Sequence, residues 1–392
     1  MKIIVLAFTL LAVVFDAVSQ NGNAGTLNAQ ARGALSQTSG NLKIQGLQQP
    51  VTVLRDKWGV AHIYAQNQHD LFFAQGLVAA QDRLFQMELW KRAGQGRLAE
   101  VLGPSAVERD RYARLLRYRG DLKAEYSSYA PDAFEILQAF TDGINAYIRD
   151  SHTLPVEFKM AGFAPEAWRP EDCLSRMAAF SVTANATAEL RNAAMLAALG
   201  PEKSRLLLRP DPDTQLDPVA GVDMSWLSAD LLKGMIGGDA RIEFPVDHSS
   251  IGSNNWTISG NHTASGKPLL ANDPHRVIAV PSLRYIVHLV APGWDVIGSG
   301  EPALPGVSIG HNRNIAWGLT IFPVDQQDLY LEELAPSDSM QYKSGDHWEK
   351  FRTEQTTINI KGGPPQNLTL KFTGHGPVLW EDNTHHHALA LR

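Results

Sequence analysis

Cysteine is nearly absent: Cys173 is the single one in 392 residues. No internal disulfide can form, and neither a Cys-x-x-Cys redox pair nor a cysteine-based zinc site can be built. Positive charge is not in excess either. The formal net charge is −6, which leaves no electrostatic footprint for nucleic acid. Beyond Phe15 no apolar run is long enough to cross a bilayer. The H-E-x-x-H, P-loop and EF-hand patterns are missing, so three common metal and phosphate sites are not encoded as motifs. There is no internal repeat and no low-complexity tract.

What remains is the composition of a globular protein, 44% hydrophobic and 19% charged. The N-terminus stands apart. Lys2 precedes an apolar run over residues 3–15, and Ala17-Val18-Ser19 supplies small residues before a cut. That pattern describes a secretory signal peptide over residues 1–19, cleaved before Gln20. The expected address is the periplasm of a Gram-negative cell, or the medium, with no stable membrane insertion once the signal is removed. Cys173 lies beside Leu174, Met177, Ala178 and Ala179. It reads as a small core residue on a helix, without the setting of an activated thiol.

Order is expected from about Val51. Residues 51–56 and 61–65 read as strands around a turn at Trp58-Gly59. A helix follows, with Asp70 as its expected N-cap. Leu71, Ala74, Leu77, Val78, Leu84, Phe85 and Leu89 recur at helical spacing. Residues 97–102 form a further short helix, stopped by Gly103-Pro104. More helices are expected over 130–193, with a loop at 154–170. The pattern weakens between Pro210 and Gly252, a candidate linker or excised spacer. From Ser253 onward short strand-like runs dominate. A helix-rich first half and a strand-rich second half describe an α+β arrangement.

Gly252-Ser253-Asn254-Asn255 is where chemistry is possible. A serine hydroxyl is a weak nucleophile near neutral pH and needs a base. Cleavage before Ser253 would free its own α-amine, with an ordinary pKa of about 7.7–8.0. That amine could take the hydroxyl proton, directly or through water. Gly252 leaves space for the same hydroxyl to attack the preceding carbonyl and make the cut. Taken alone, these residues equally describe a serine that merely opens a strand.

The downstream motifs are Asn272-Asp273-Pro274-His275, Tyr285 with His288, Asp295-Val296-Ile297-Gly298, Pro305-Gly306-Val307-Ser308-Ile309-Gly310-His311-Asn312, Ile315-Ala316-Trp317-Gly318-Leu319-Thr320 and Asp325-Gln326-Gln327-Asp328. In this order and spacing they resemble the start of the β subunit of the penicillin acylase family. Upstream, Arg55-Asp56, Gly59-Val60, His62-Ile63, Ala80-Gln81-Asp82-Arg83-Leu84-Phe85-Gln86-Met87 and Gly96-Arg97-Leu98-Ala99-Glu100 resemble its α subunit. The resemblance runs over residues 51–392, interrupted by the spacer.

It implies the αββα four-layer sandwich of the N-terminal nucleophile hydrolases, with a helix-rich α part over 20–214, a spacer over 215–252 and the first part of a β subunit over 253–392. It implies a self-processing amidohydrolase acting on linear, non-peptide amides such as penicillins, cephalosporin side chains or acyl-homoserine lactones. The α and β subunits would form a heterodimer cut from one precursor. Ser253 matches the nucleophile, and Gly252 and Ser253 flank the autocleavage bond. His275, 22 residues on, matches a histidine that bonds to the nucleophile or steadies its amine. The backbone N–H of Ile321 matches one oxyanion donor. The other, an asparagine, belongs further downstream than Arg392. Asp325, Gln327, Asp328 and Glu189 match a Ca²⁺ site, whose hard oxygen ligands suit that ion. No organic cofactor is expected.

Two other readings stay open. Gly306-Val307-Ser308-Ile309-Gly310 fits the G-x-S-x-G esterase pattern, which requires a strand before Ser308 and a helix after it. The second is a non-catalytic family member, since the chain is expected to stop inside the catalytic domain. His385-His386-His387 is expected at an exposed turn, not in a metal site. Arg83, Gln86 and Arg97 are expected in structural pairs, and Trp256 and Trp317 in the core or lining an acyl pocket.

Overall fold

The computed structural model describes residues 24–174, 185–208, 252–275, 278–320 and 325–392. The signal peptide, the spacer up to residue 251 and Ile321 lie outside the described residues. The chain divides into two compact units. One comprises Met1–Gly94, Tyr118–Arg176 and Ile242–Ile321; the other comprises Gln95–Arg117, Met177–Arg241 and Phe322–Arg392. No helix among the described residues is long and apolar enough to cross a membrane.

The first unit is built on a six-stranded sheet. Strands β1 (Thr52–Arg55) and β2 (Ala61–Tyr64) form the expected antiparallel hairpin. The Asp56 carboxylate closes its turn by accepting from Trp58 N at 2.8 Å and Val60 N at 3.0 Å. Two strands fall at 252–275, β3 (Gly252–Ile258) and β4 (Leu269–His275), and among the described residues they pair only with each other. Then β5 (Tyr285–Ala291), β6 (Trp294–Gly300), β7 (Ile309–His311) and β8 (Ala316–Trp317) complete the large sheet in the order β1-β2-β5-β6-β7-β8. Strand β5 shows the period-2 alternation of a sheet with one buried face. Tyr285, Val287 and Leu289 are buried while Ile286 is exposed.

Against this sheet pack the helices Gln68–Gln95 and Ala133–Asp150. Leu71, Phe72, Phe73, Leu84, Met87, Phe140 and Ile144 join Ile63, Val287 and Leu289 in one buried cluster. Burying each such side chain is worth about 1.5–3 kcal/mol. The two helices cross at glycine. A Cβ on Gly76 would sit 1.9 Å from Phe140 O, and one on Gly143 would sit 1.9 Å from Phe73 O. Only glycine at both positions permits this approach.

Asp70 is not the cap of the first of these helices. The helix starts at Gln68, and the Asn67 side chain accepts from Asp70 N at 2.7 Å, the usual N-cap bond. Asp70 is fully buried and its carboxylate accepts from Gln48 N, Gln49 N and Asn67 Nδ2, each at 2.9 Å. Burial works to raise its pKa, but those bonds win and hold it below the usual range. The expected loop at 154–170 also needs correction, because Val156–Ala161 is a helix that buries Phe158. Pro155 reads as a breaker; it sits immediately before the helix, where its missing N–H costs nothing. Cys173 is a buried core residue on the helix Pro170–Leu174, as expected, and burial pushes its thiol pKa well up.

The second unit joins the helices Ala99–Leu102, Val107–Leu116 and Asn185–Leu208 to seven strands. Strands β9 (Leu329–Ala335), β10 (Asp338–Ser344), β11 (His347–Lys350), β14 (Val378–Asp382) and β15 (His387–Leu391) form a sheet in the order β11-β10-β9-β15-β14. Strands β12 (Arg352–Ile358) and β13 (Gln366–Phe372) form a separate hairpin. Ala186 and Leu190 pack on Leu379, Leu389 and Leu391. The short helix Ala99–Leu102 is capped from a distance in sequence: Asp110 accepts from Leu98 N at 2.8 Å and Ala99 N at 2.7 Å. His385 and His386 occupy the turn before β15, with His386 at φ 57°, but His387, expected at the same exposed turn, is half-buried and opens the strand because it pairs with Glu333 and Asp382.

Candidate active site

Antiparallel pairing sets Ser253 opposite Pro274 and Gly252 opposite His275. Side chains alternate along a strand. Ser253 and Asn255 therefore share one face of the β3–β4 hairpin with Asn272 and Pro274. Gly252 and Asn254 share the other with Asp273 and His275.

Strand β8 then leads into Gly318-Leu319-Thr320, which runs past the first face. The Ser253 and Thr320 hydroxyls are hydrogen-bonded to each other, and either oxygen can be the donor. Asn255 Nδ2 donates to Gly318 O at 3.0 Å. Asn272 Nδ2 donates to Leu319 O at 3.0 Å and to Asn254 O at 2.9 Å, while Asn272 Oδ1 accepts from Leu319 N at 3.2 Å. The nucleophile expected from sequence is thus fixed within reach of the segment that precedes Ile321, itself outside the described residues.

His275 sits on the other face. A Cβ on Gly252 would meet its Nδ1 at 3.4 Å, and its Nε2 lies 3.3 Å from Asp273 Oδ1. The imidazole therefore neighbours the bond between Gly252 and Ser253. Of the two expected roles, this placement favours steadying the future amine over bonding to the hydroxyl.

Glu189, Asp325 and Asp328 come together in the second unit, each offering a carboxylate oxygen within 4.8 Å of the others. Glu189 lies on the helix Asn185–Leu208 and accepts from Leu329 N at 3.0 Å. Burial, then the neighbouring Asp328 and Asp325 charges, push its carboxyl above the usual range despite that bond. Three carboxylate oxygens this close together form a donor set that suits a hard divalent cation. Gln327 lies between the two aspartates in the chain.

Other expectations separate cleanly. Ser308 donates its N–H to Ser299 O at 3.0 Å, and a strand rather than a helix follows it. The nucleophile-elbow geometry is absent at Ser308. Arg83 bonds Gln86 Oε1 at 3.2 Å and Ser282 O at 2.9 Å, and Arg97 bonds Glu100 at 2.7 Å, so these are structural pairs. Trp317 packs against the main core, but Trp256 is 51% exposed and is not a core residue. It projects from a two-stranded hairpin whose flank no described strand covers.

Sequence reasoning missed three participants: Thr320, Asn255 and Asn272. All three lay inside motifs already singled out, but their partners are carbonyls and a hydroxyl that only the fold brings near. It also missed a polar chain elsewhere in the first unit. His62 Nδ1 lies 3.0 Å from His288 Nδ1, and His288 Nε2 lies 3.1 Å from Asp295. Hydrogen bonds from His288 and then Arg313 hold the Asp295 carboxyl below its usual range.

The family model described as Penicillin amidase matches residues 50–392. The chain belongs to the penicillin amidase family. It is 36% identical over 373 residues to "Penicillin acylase 2 proenzyme" of Pseudomonas sp. (strain SE83), covering 92% of this chain and 47% of that protein. It is 34% identical to "Acyl-homoserine lactone acylase QuiP" of Pseudomonas aeruginosa, covering 88% and 42%. It is 30% identical to "Penicillin G acylase" of Escherichia coli, covering 85% and 46%. The chain spans about half the length of these curated relatives. Among solved structures, the tetragonal form of the thermostable penicillin G acylase from Alcaligenes faecalis is 28% identical, covering 45% of this chain and 97% of that chain with a TM-score of 0.37. The family assignment rests on the sequence match.

Proposed function

We propose that this protein is a secreted, self-processing acylase that hydrolyses a linear N-acyl amide through an acyl-enzyme on Ser253. The observation that carries this reading is the Ser253 hydroxyl, held by Thr320 at the start of a strand, with His275 beside the Gly252–Ser253 bond. Relatives named as a proenzyme and as acylases support it.

The chemistry has two stages. In the precursor, the Ser253 hydroxyl attacks the Gly252 carbonyl; the C–N bond breaks as the ester forms, freeing the Ser253 amine, and water then hydrolyses the ester to leave a Gly252 carboxylate and restore the hydroxyl. In the mature enzyme that amine takes the hydroxyl proton while Oγ bonds to the substrate carbonyl carbon. The backbone N–H of Ile321 is assigned, from the family resemblance, as one donor to the developing oxyanion, an interaction that is often the largest catalytic contribution. The C–N bond then breaks, the proton passes to the leaving amine, and water hydrolyses the ester to release the acid. His275, paired with Asp273, steadies the amine in its neutral form.

The finer reading extends to the whole protein. The fold is the four-layer αββα sandwich, the mature enzyme is an α/β heterodimer, and the location is the periplasm. Glu189, Asp325, Gln327 and Asp328 would hold Ca²⁺, which would tie the helix Asn185–Leu208 to the start of β9. The substrate is a small N-acyl compound of the penicillin or acyl-homoserine-lactone type.

Labelling with phenylmethylsulfonyl fluoride, followed by peptide mapping, tests the nucleophile. The adduct is expected on Ser253. An adduct on Ser308, or none on an active preparation, would overturn the assignment.

A further inference from the structure

The hairpin that carries Ser253 has an unusual attachment. Its two strands pair only with each other, and no strand pairing joins residues 318–320 to them among the described residues. Side chains do the joining instead, through Asn255, Asn272 and the Ser253–Thr320 pair.

Asn272 does more than the others. Its amide closes both backbone groups of Leu319, accepting from the N–H at 3.2 Å and donating to the C=O at 3.0 Å. One side chain thereby reproduces the two bonds of a β-bridge. Its remaining N–H goes to Asn254 O at 2.9 Å, on the strand of the nucleophile. The orientation of the amide is dictated by these partners. Exchanging its O and N would set NH₂ against an N–H and a carbonyl oxygen against two others.

Gly318 is the matching half of the device. A Cβ there would lie 2.5 Å from Asn272 Cβ, 2.6 Å from Cγ and 2.9 Å from Oδ1. Gly318 is not at positive φ, so the requirement is for space and not for backbone freedom.

We propose that Asn272 is a positioning residue that sets the distance between the strand of Ser253 and residues 318–320, with Gly318 as the gap that lets it in. This rests on the function proposed above. Leu319 directly precedes Thr320, so clamping its peptide groups holds the backbone that carries the hydroxyl partner of Ser253. A catalytic displacement of about 1 Å costs on the order of 100-fold in rate. An amide that bonds both strand and segment is a stiff way to prevent it.

The test uses the complete gene product and phenylmethylsulfonyl fluoride, with the Ser253 adduct followed by mass. If the wild type is not labelled at Ser253, the underlying reading fails and the variants are irrelevant. With the wild type labelled, Asn272→Asp and Gly318→Ala are expected to lower the maximal labelling rate by roughly 10- to 100-fold. The probe concentration giving half that rate should stay unchanged. Asp is isosteric but cannot donate to Leu319 O or Asn254 O. Labelling at the wild-type rate in either folded variant would overturn the proposal. A second measurement needs no variant: hydrogen exchange in the wild type should show the Leu319 amide protected, although its side chain is exposed. Exchange as fast as in an open loop would equally overturn it.

Discussion

The first unit contains two pieces of sheet built by opposite means. The six-stranded sheet is a continuous backbone ladder with one face sealed by two helices. The β3–β4 hairpin is a ladder of two, with Trp256 and Leu269 about half exposed, tied to its surroundings by asparagine and hydroxyl side chains. Burial fixes the first and leaves no freedom. Polar contacts fix the second and leave the Ser253 hydroxyl and the Gly252–Ser253 bond within reach of solvent. The proposed self-cleavage and substrate entry would both use that division.

Breaking the scaffold should cost most. Phe140→Ala removes a fully buried ring from the helix–sheet interface and should lower stability by about 3–5 kcal/mol, read by urea unfolding. A loss under about 1 kcal/mol would mean that the interface is looser than its burial indicates.

The metal proposal gives the next effect. At a Ca²⁺ concentration about 100-fold above its Kd, a site formed only in the folded state adds about 2.7 kcal/mol. Glu189→Gln should abolish that gain in calorimetric melts. The sign with pH follows from the raised Glu189 carboxyl. Without the ion, stability falls as pH rises from the unfolded-state pKa through the raised folded-state one, and stays lower above it. With the ion, Glu189 must be ionised, so the calcium-dependent gain vanishes as pH falls through the raised value. A gain that persists in Glu189→Gln would remove this residue from the site.

Gly143→Ala should cost about 1–3 kcal/mol, because a methyl group 1.9 Å from Phe73 O forces the two helices apart. Full stability in this variant would contradict the crossing. Smallest of all should be Trp256→Ala on the exposed hairpin, within about 0.5 kcal/mol of wild type by the same urea assay. A large loss there would show that the hairpin is held by burial after all, and the contrast would collapse.

The same contrast explains what could be read in the sequence. Periodicity marked the helix Gln68–Gln95 and the strands β1, β2 and β5, because apolar burial repeats at the period of the element. Asp70 was misplaced as a cap since its partners, Gln48 N and Gln49 N, are 22 and 21 residues away. The short helix Val156–Ala161 was hidden by Pro155 and the six-residue length of the element. Ser253, His275, Asp325 and Asp328 stand in motifs and Glu189 was singled out by the resemblance alone; the fold brings the three carboxylates into one cluster. The contacts of Thr320, Asn255 and Asn272 were not legible, because polar side chains that bond to distant backbone groups leave no periodic trace. Trp256 was expected in the core or lining an acyl pocket, and the two-stranded hairpin leaves it half exposed.

The central claim is that Ser253 becomes a chain terminus whose amine serves its own hydroxyl. Intact mass and N-terminal sequencing of the mature protein, isolated from the cell envelope as the complete gene product, test it directly. The account predicts a fragment beginning Ser253-Asn254-Asn255-Trp256 that is absent in Ser253→Ala. A soluble, folded and active protein with an uncut bond between Gly252 and Ser253 would contradict it.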